Sequence, residues 1–145
     1  RNARANSLAL LTTKPPSTGD KERFIFAVFL IEENYEGDSK NEGYVGASAK
    51  YRIQFNLEEA KQLKFWDYYF NLNKPEKIIF GSGLHRYLTD AQSAQVLTKV
   101  CEIKKGTPDE ELSKEFLEYY CKIKKLDIEN IPIANGALQR AKLAK

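Results

Sequence analysis

The sequence predicts a single α+β domain in which a mixed, barrel-like β-sheet with helices is followed by a C-terminal helical segment. Arg23 to Ile31 is apolar at both alternating sets of positions, which indicates a central strand covered on both faces. Shorter β-tolerant stretches surround it, and amphipathic segments with helix caps occupy the second half of the chain. Because strands come first and helices last, without regular alternation, a doubly wound parallel sheet is disfavoured.

The other strands are predicted from short apolar stretches bounded by loop or turn residues. These stretches are Leu8–Thr13, Tyr44–Ala49, Tyr51–Phe55 and Ile78–Phe80. In the third of them, the apolar side chains alternate with Arg52 and Gln54, so we expect a strand with one exposed face. The acidic, glycine-bearing stretch Glu32–Gly43 is typical of a surface loop.

Capping signals predict three helices. Two capping boxes are present: Asn56 with Glu59, which opens a helix at Leu57, and Thr89 with Gln92, which opens a helix from Asp90 to about Lys104. The first of these helices is expected to continue into the aromatic residues that follow Leu63. Thr107, placed before a proline and two acidic residues, predicts a cap for a third helix, Pro108–Lys125.

Length and composition indicate one folded domain. The chain has 145 residues, of which 42% are hydrophobic and 30% charged, proportions that are too apolar for intrinsic disorder. We expect a β-rich core over residues 8–105 and a helical extension over residues 107–145. The chain begins at Arg1 and contains no methionine, which favours excision from a longer polypeptide whose other domains would be its partners.

Several classes of protein are disfavoured. No apolar run approaches the roughly 18 residues of a membrane-spanning helix, and no signal peptide is apparent, so we expect a soluble protein without a membrane partner. Cys101 and Cys121 form no CxxC pair and the chain has one histidine, so no metal site or cofactor is expected. Two reduced thiols in the cytoplasm are favoured over a disulfide between neighbouring helices.

An enzymatic function is the least favoured class. His85 is the only imidazole, and Ser82 and Asp90 lie near enough in sequence to draw a catalytic triad. However, Gly81-Ser82-Gly83 lacks the spacing of a nucleophile elbow, and sequence neighbours rarely form a triad in space. A histidine at a helix entry or on the surface is the simpler interpretation.

Two segments suggest ligand binding instead. Gly81-Ser82-Gly83 could expose backbone amides to a phosphate with Arg86 nearby, although a plain strand-ending turn has the same pattern. The aromatic residues Phe65, Trp66, Tyr68, Tyr69 and Phe70 could stack on bases, and core packing is their alternative role. The predicted nucleic-acid-binding residues are Trp66, Tyr68, Ser82 and Arg86.

The stretch from Leu8 to about Lys105 resembles the PUA-like group of small β-barrel domains, in particular EVE and YTH domains. The resemblance lies in Leu10-Leu11-Thr12-Thr13, in Phe24-Ile25-Phe26-Ala27-Val28-Phe29, in Tyr44-Val45 and in the aromatic segment around Trp66. It implies a β-barrel that holds an extruded, modified base in an aromatic pocket, inside a larger restriction or RNA-binding protein. The sequence departs from the cage pattern because it has a single tryptophan.

The leading functional hypothesis is a non-catalytic nucleic-acid-recognition module, such as a modified-base reader in a restriction, defence or RNA-processing protein. The alternative is a protein-interaction or scaffold domain that docks a neighbouring domain or a second copy through its aromatic residues and its last long helix. The net charge of +3 favours neither of these two hypotheses, and it does not distinguish DNA from RNA as the ligand.

Overall fold

The computed structural model of the chain describes residues 6–14, 22–31, 47–70, 88–138 and 140. The strands are β1 (Leu8–Thr13), β2 (Phe24–Ile31) and β3 (Ala47–Gln54). The α-helices are α1 (Leu57–Ala60), α2 (Asp90–Ile103) and α3 (Glu110–Lys124), and two short 3-10 helices span Phe65–Asp67 and Ile128–Asn130. None of the helices in these ranges has the length and apolarity needed to cross a bilayer.

The described strands form one antiparallel sheet in the order β1-β2-β3. The α+β class is therefore confirmed, and β2 is the central strand, as predicted. The barrel-like expectation is not supported, because within the described ranges β1 and β3 each pair with β2 and the sheet stays open. The helical extension is seen in α3 and the second 3-10 helix, which cover only part of residues 107–145.

The predicted strands Tyr44–Ala49 and Tyr51–Phe55 are one strand from residue 47 onward, and residues 44–46 and Ile78–Phe80 lie outside the described residues. The register of β3 against β2 shifts between Phe29 and Ile31. Near this shift, the Ser48 hydroxyl accepts from the backbone N–H groups of Lys50 and Tyr51, at 3.2 and 3.1 Å. A bulge therefore takes the place of the predicted break between two strands.

The two faces of the sheet have different surroundings. Leu10, Val28 and Ile53 lie in one cross-strand row, and this face packs into the main core with α2 and α3. Six of the eight residues of β2 are buried, but Phe26 is exposed and Phe29 is half-buried. Phe26 is the extra residue of a β-bulge, because Ala27 pairs with Leu11 while Ile25 pairs with Thr12. Coverage of β2 is therefore less complete than predicted.

Both predicted capping boxes are present, at the starts of α1 and α2. However, α1 ends after four residues and does not continue into the aromatic segment. The chain after it pairs with the start of β2: the Ile25 N–H donates to the Leu63 carbonyl at 2.8 Å, and the Phe65 N–H donates to the Arg23 carbonyl at 2.9 Å. This long-range pairing requires extended backbone, which is incompatible with a continuing helix.

The third helix begins at Glu110, two residues later than predicted, and ends at Lys124, where Lys125 adopts a left-handed conformation with φ of 58°. Asp109 is its N-cap residue and its side chain makes no capping bond. The Thr107 hydroxyl instead donates to the Lys104 carbonyl at 2.7 Å and accepts from the Asp109 N–H at 3.2 Å. Thr107 thus stabilises the turn between α2 and α3 and does not cap α3 itself.

The C-terminal part of the described chain packs against the aromatic segment. The Gly136 N–H donates to the Asp67 carbonyl and the Ala137 N–H donates to the Tyr69 carbonyl, each at 2.9 Å. Ala137 is buried in a small cluster with Phe65 and Trp66. A Cβ atom on Gly136 would lie 2.4 Å from the Trp66 carbonyl oxygen, so the close approach of the two backbones requires glycine at this position.

Candidate functional site

The structure places the two aromatic residues that the sequence predicts as ligand contacts inside the protein. The Trp66 ring is fully buried, and Tyr68 is 5% exposed. Trp66 packs edge-on against Phe65 and Tyr69, with ring centroids 5.3 and 5.6 Å apart. Burial raises the pKa of the Tyr68 hydroxyl, so this group stays protonated at neutral pH. Neither ring offers an open stacking face in this conformation.

The other two predicted contacts, Ser82 and Arg86, lie outside the described residues, as do His85 and the Gly81-Ser82-Gly83 segment. Of the four predicted contacts, the described residues include only Trp66 and Tyr68. Within the aromatic segment, the most accessible rings are those of Tyr69 and Phe70, which are half-buried. The Arg140 guanidinium covers the Phe70 ring, with its central carbon 3.9 Å from the ring centroid.

A cleft of about 570 Å³ is lined by residues of all three strands and by Asp109. Most of its lining residues belong to the face of the sheet opposite the row of Leu10, Val28 and Ile53, which we call the open face. Two cross-strand rows define this face, because residues directly opposite one another share a face. One row contains Leu11, Ala27 and Gln54, and the neighbouring row pairs Phe29 with Arg52. All five residues line the cleft, and Asp109, the residue before α3, lines it as well.

The side chains around this cleft differ in chemistry. Phe29 is half-buried and supplies an aromatic ring beside the exposed Arg52 guanidinium on the paired strand. Gln54 is exposed and has an amide that can both donate and accept hydrogen bonds. Leu11, which is 44% exposed, adds an apolar edge. The cleft can therefore cover a flat ring and make a few directed polar contacts to it.

A second cleft, of about 540 Å³, adjoins the first and shares Gln54 and Asp109 with it. Its most unusual member is Lys104, whose side chain is 7% exposed. The Lys104 ammonium lies 2.9 Å from a Glu59 carboxylate oxygen and 3.7 Å from an Asp109 oxygen. Because the same Glu59 oxygen accepts from the Asn56 N–H at 3.0 Å, this carboxylate connects α1 to the end of α2.

The charged residues that line this second cleft are one base, Lys104, and two acids, Glu59 and Asp109, both of which pair with it. The Lys104 ammonium, followed by the Asn56 amide, holds the pKa of the Glu59 carboxyl below its usual value of 4.5. Lys104 also lies 5.1 Å from the centroid of the Phe55 ring. A cation that is already paired in this way attracts an anionic ligand only weakly. We therefore assign Lys104 and Glu59 a structural role and do not treat the second cleft as an anion site.

The described residues give no support to metal or thiol chemistry. Among them, no group of three or more His, Cys, Asp or Glu residues could hold a metal ion. Cys101 and Cys121 are free, and burial raises the pKa of both thiols. The thiolate form is therefore scarce at neutral pH, which makes either cysteine a poor nucleophile.

No family model, curated protein or solved structure matches the chain. Its function is therefore inferred from the geometry of the open-face cleft and from the chemistry of the residues around it.

Proposed function

We propose that the chain is a non-catalytic module that binds single-stranded nucleic acid on the open face of its sheet. The observation that carries the proposal is the cross-strand pair of Phe29 and Arg52 within a cleft of about 570 Å³. An aromatic ring and a guanidinium on adjacent strands provide a stacking surface for a base and a cation for the neighbouring phosphate.

The proposal replaces Trp66 and Tyr68 with Phe29 as the stacking residue. A base stacked on Phe29 would also be within contact distance of the Leu11 and Arg52 side chains. The Gln54 amide would hydrogen-bond to the edge of the base. Arg52 and Gln54 are exposed two positions apart along β3, and such a line of contacts suits an extended single strand better than a duplex. This arrangement supports a stacking platform and gives no particular support to an enclosed, PUA-like pocket for a modified base.

The wider setting remains part of the same proposal. Arg52 is the one cation among the described residues that line the cleft, so the protein would make few phosphate contacts there and its binding would depend weakly on salt. Such a module would act within a longer restriction, defence or RNA-processing protein that supplies further contacts. Its free cysteines are consistent with the reducing conditions of the cytoplasm.

The test is a fluorescence anisotropy titration with short labelled RNA and DNA, single-stranded and duplex, at two salt concentrations. We expect single strands to bind more tightly than duplexes. Phe29→Ala should raise the Kd about tenfold, in the range expected for one stacked base. Phe26→Ala is the matched control, because Phe26 is exposed on the same strand but does not line the cleft.

A second pair of variants tests the cationic contact. Arg52→Ala should weaken binding and reduce its salt dependence by about one phosphate contact. Lys122→Ala removes an exposed cation of the last turn of α3, away from the cleft, and should change the Kd little. If no single strand binds at low salt, or if the control variants weaken binding as much as the cleft variants, the proposal is wrong.

The alternative function, a protein-interaction domain, is favoured by one observation. Leu11 and Phe26 are large, exposed hydrophobic residues on neighbouring strands at the β-bulge. A second copy of the chain docking there would give a concentration-dependent mass in analytical ultracentrifugation, and Leu11→Lys would abolish it. A monomer at all concentrations would exclude this form of the alternative.

A further inference from the structure

We infer that the open-face cleft prefers guanine, and that Asp109 and Gln54 determine this preference. The inference deepens the proposed function and depends on it. It begins from two residues, Asp109 and Gln54, which line both the open-face cleft and the second cleft.

Asp109 is suited to a ligand contact by its position. It is the N-cap residue of α3, yet its side chain makes no bond to the first amides of that helix. The side chain is 44% exposed, and the Lys104 ammonium lies 3.7 Å from one of its oxygens, while Glu59 is the closer partner of this lysine at 2.9 Å. The Asp109 carboxylate can therefore accept hydrogen bonds from a molecule in the cleft.

The chemistry of a carboxylate selects among the four bases. An ionised carboxylate only accepts hydrogen bonds, and its two oxygens match a pair of adjacent donors. On its pairing edge, guanine has such a pair, the N1–H and the N2 amino group. Adenine and cytosine have an amino group beside a ring nitrogen lone pair, and uracil has one N–H between two carbonyl groups. In these three bases, an acceptor would face the carboxylate and repel it.

Gln54 completes the match to guanine. The remaining group on the pairing edge of guanine is the O6 acceptor, which an amide N–H of Gln54 can contact. The charges of the lining also orient the ligand, because the Asp109 carboxylate repels a phosphate while the Arg52 guanidinium attracts one. When the guanine edge faces Asp109 and the phosphate faces Arg52, each charged side chain meets the part of the ligand that it attracts.

The experiment uses single-stranded oligonucleotides in which one test base is flanked by uridines, with DNA counterparts flanked by thymidines. We expect guanine to bind about tenfold more tightly than adenine or cytosine, as for one bidentate base contact. Inosine, which lacks the N2 amino group, should fall between guanine and adenine. The preference should appear in both RNA and DNA, because the base edge is the same in both.

Asp109→Asn should bring the four bases to within about twofold of one another, because one acceptor oxygen becomes a donor. Asp127→Asn is the matched control: it removes one negative charge from a residue that does not line the cleft, and it should keep the guanine preference. Gln54→Glu is a second variant, which should weaken guanine binding by placing a carboxylate opposite O6.

The outcomes separate the inference from the proposed function. If single strands bind in a manner that depends on Phe29 but show no guanine preference, the inference is overturned and the proposed function stands. If Asp109→Asn keeps the preference in a folded protein, the inference is also overturned. If no oligonucleotide binds at all, the proposed function fails, and the assignment of Asp109 fails with it.

Discussion

Replacing Gly136 with alanine would place a methyl group where two backbone segments already touch. The new Cβ atom would lie 2.4 Å from the Trp66 carbonyl oxygen and 2.5 Å from the backbone of Asp67 and Tyr68. Because these atoms belong to the main chain, no rotamer change can relieve the overlap. One of the two segments must move.

The expected cost follows from what that movement breaks. The approach of the segments is held by the Gly136 and Ala137 N–H bonds to the Asp67 and Tyr69 carbonyls. A net value of about 1 kcal/mol for each of the two hydrogen bonds, with about 1–3 kcal/mol for overpacking, gives a loss of about 3–5 kcal/mol on Gly136→Ala. Displacing the segment would also uncover Ala137 and the neighbouring Trp66 ring.

Tryptophan fluorescence makes this prediction easy to measure, since Trp66 is the only tryptophan in the chain and is fully buried. Urea unfolding of the Gly136→Ala variant should give the lower stability. A red-shifted emission in the absence of urea would show that the C-terminal segment has moved away from the Trp66 ring.

Gly106→Ala is the control, because it separates a steric effect from a conformational one. Gly106 has a φ of 82°, and the space that a methyl group would occupy there is open. Its replacement should cost about 1–2 kcal/mol through backbone strain and leave the Trp66 emission unchanged. A Gly136→Ala variant with native stability and native emission would refute the steric explanation.

Two further predictions concern helix ends. Thr89→Ala should lower the free energy of unfolding by about 1 kcal/mol, because it removes the hydrogen bond that the Gln92 N–H donates to the Thr89 hydroxyl, while Thr89→Ser should keep most of the stability. Urea unfolding measures both variants, and equal midpoints for Thr89→Ala and Thr89→Ser would contradict the role of the cap. The Glu59 carboxyl has a lower pKa in the folded protein than its usual 4.5, so its contribution is present above that pH and is lost as the pH falls through the folded value. The stability difference between the wild type and Glu59→Gln should therefore shrink in acid, and urea unfolding across the acid range should show it; a difference that grows in acid would contradict this sign.

Local signals predicted the fold where the responsible contacts are local. The capping boxes at Asn56 and Thr89 need only three residues of sequence, and both are present. The end of α1 was missed because it depends on the pairing of Leu63 and Phe65 with Ile25 of β2 and with the preceding Arg23, some forty positions earlier. Openness of the sheet is likewise a property of strand order, which the apolar pattern of single strands does not contain.

The candidate site shows the same division. The alternation around Ile53 correctly placed Arg52 and Gln54 on an exposed face. Phe29 was assigned to the core because an apolar run does not tell which face of a central strand will be covered. That Asp109 lines the same cleft as Phe29 could not be predicted, since it depends on how α3 packs against the sheet. Trp66 belongs to the aromatic segment that the sequence singled out, and its ring is fully buried in the structure, which is the commoner environment of large aromatics.

The shared carboxylate of Glu59 has a consequence for how the protein opens and how its sequence can vary. One oxygen accepts from both the Asn56 amide and the Lys104 ammonium, so unwinding the single turn of α1 would leave a buried cation with only its more distant partner, Asp109. The amide protons of α1 and of the last turn of α2 should then exchange with solvent as one cooperative unit. Over evolutionary time, positions 59 and 104 should change together, because either charge left alone in that setting is strongly destabilising.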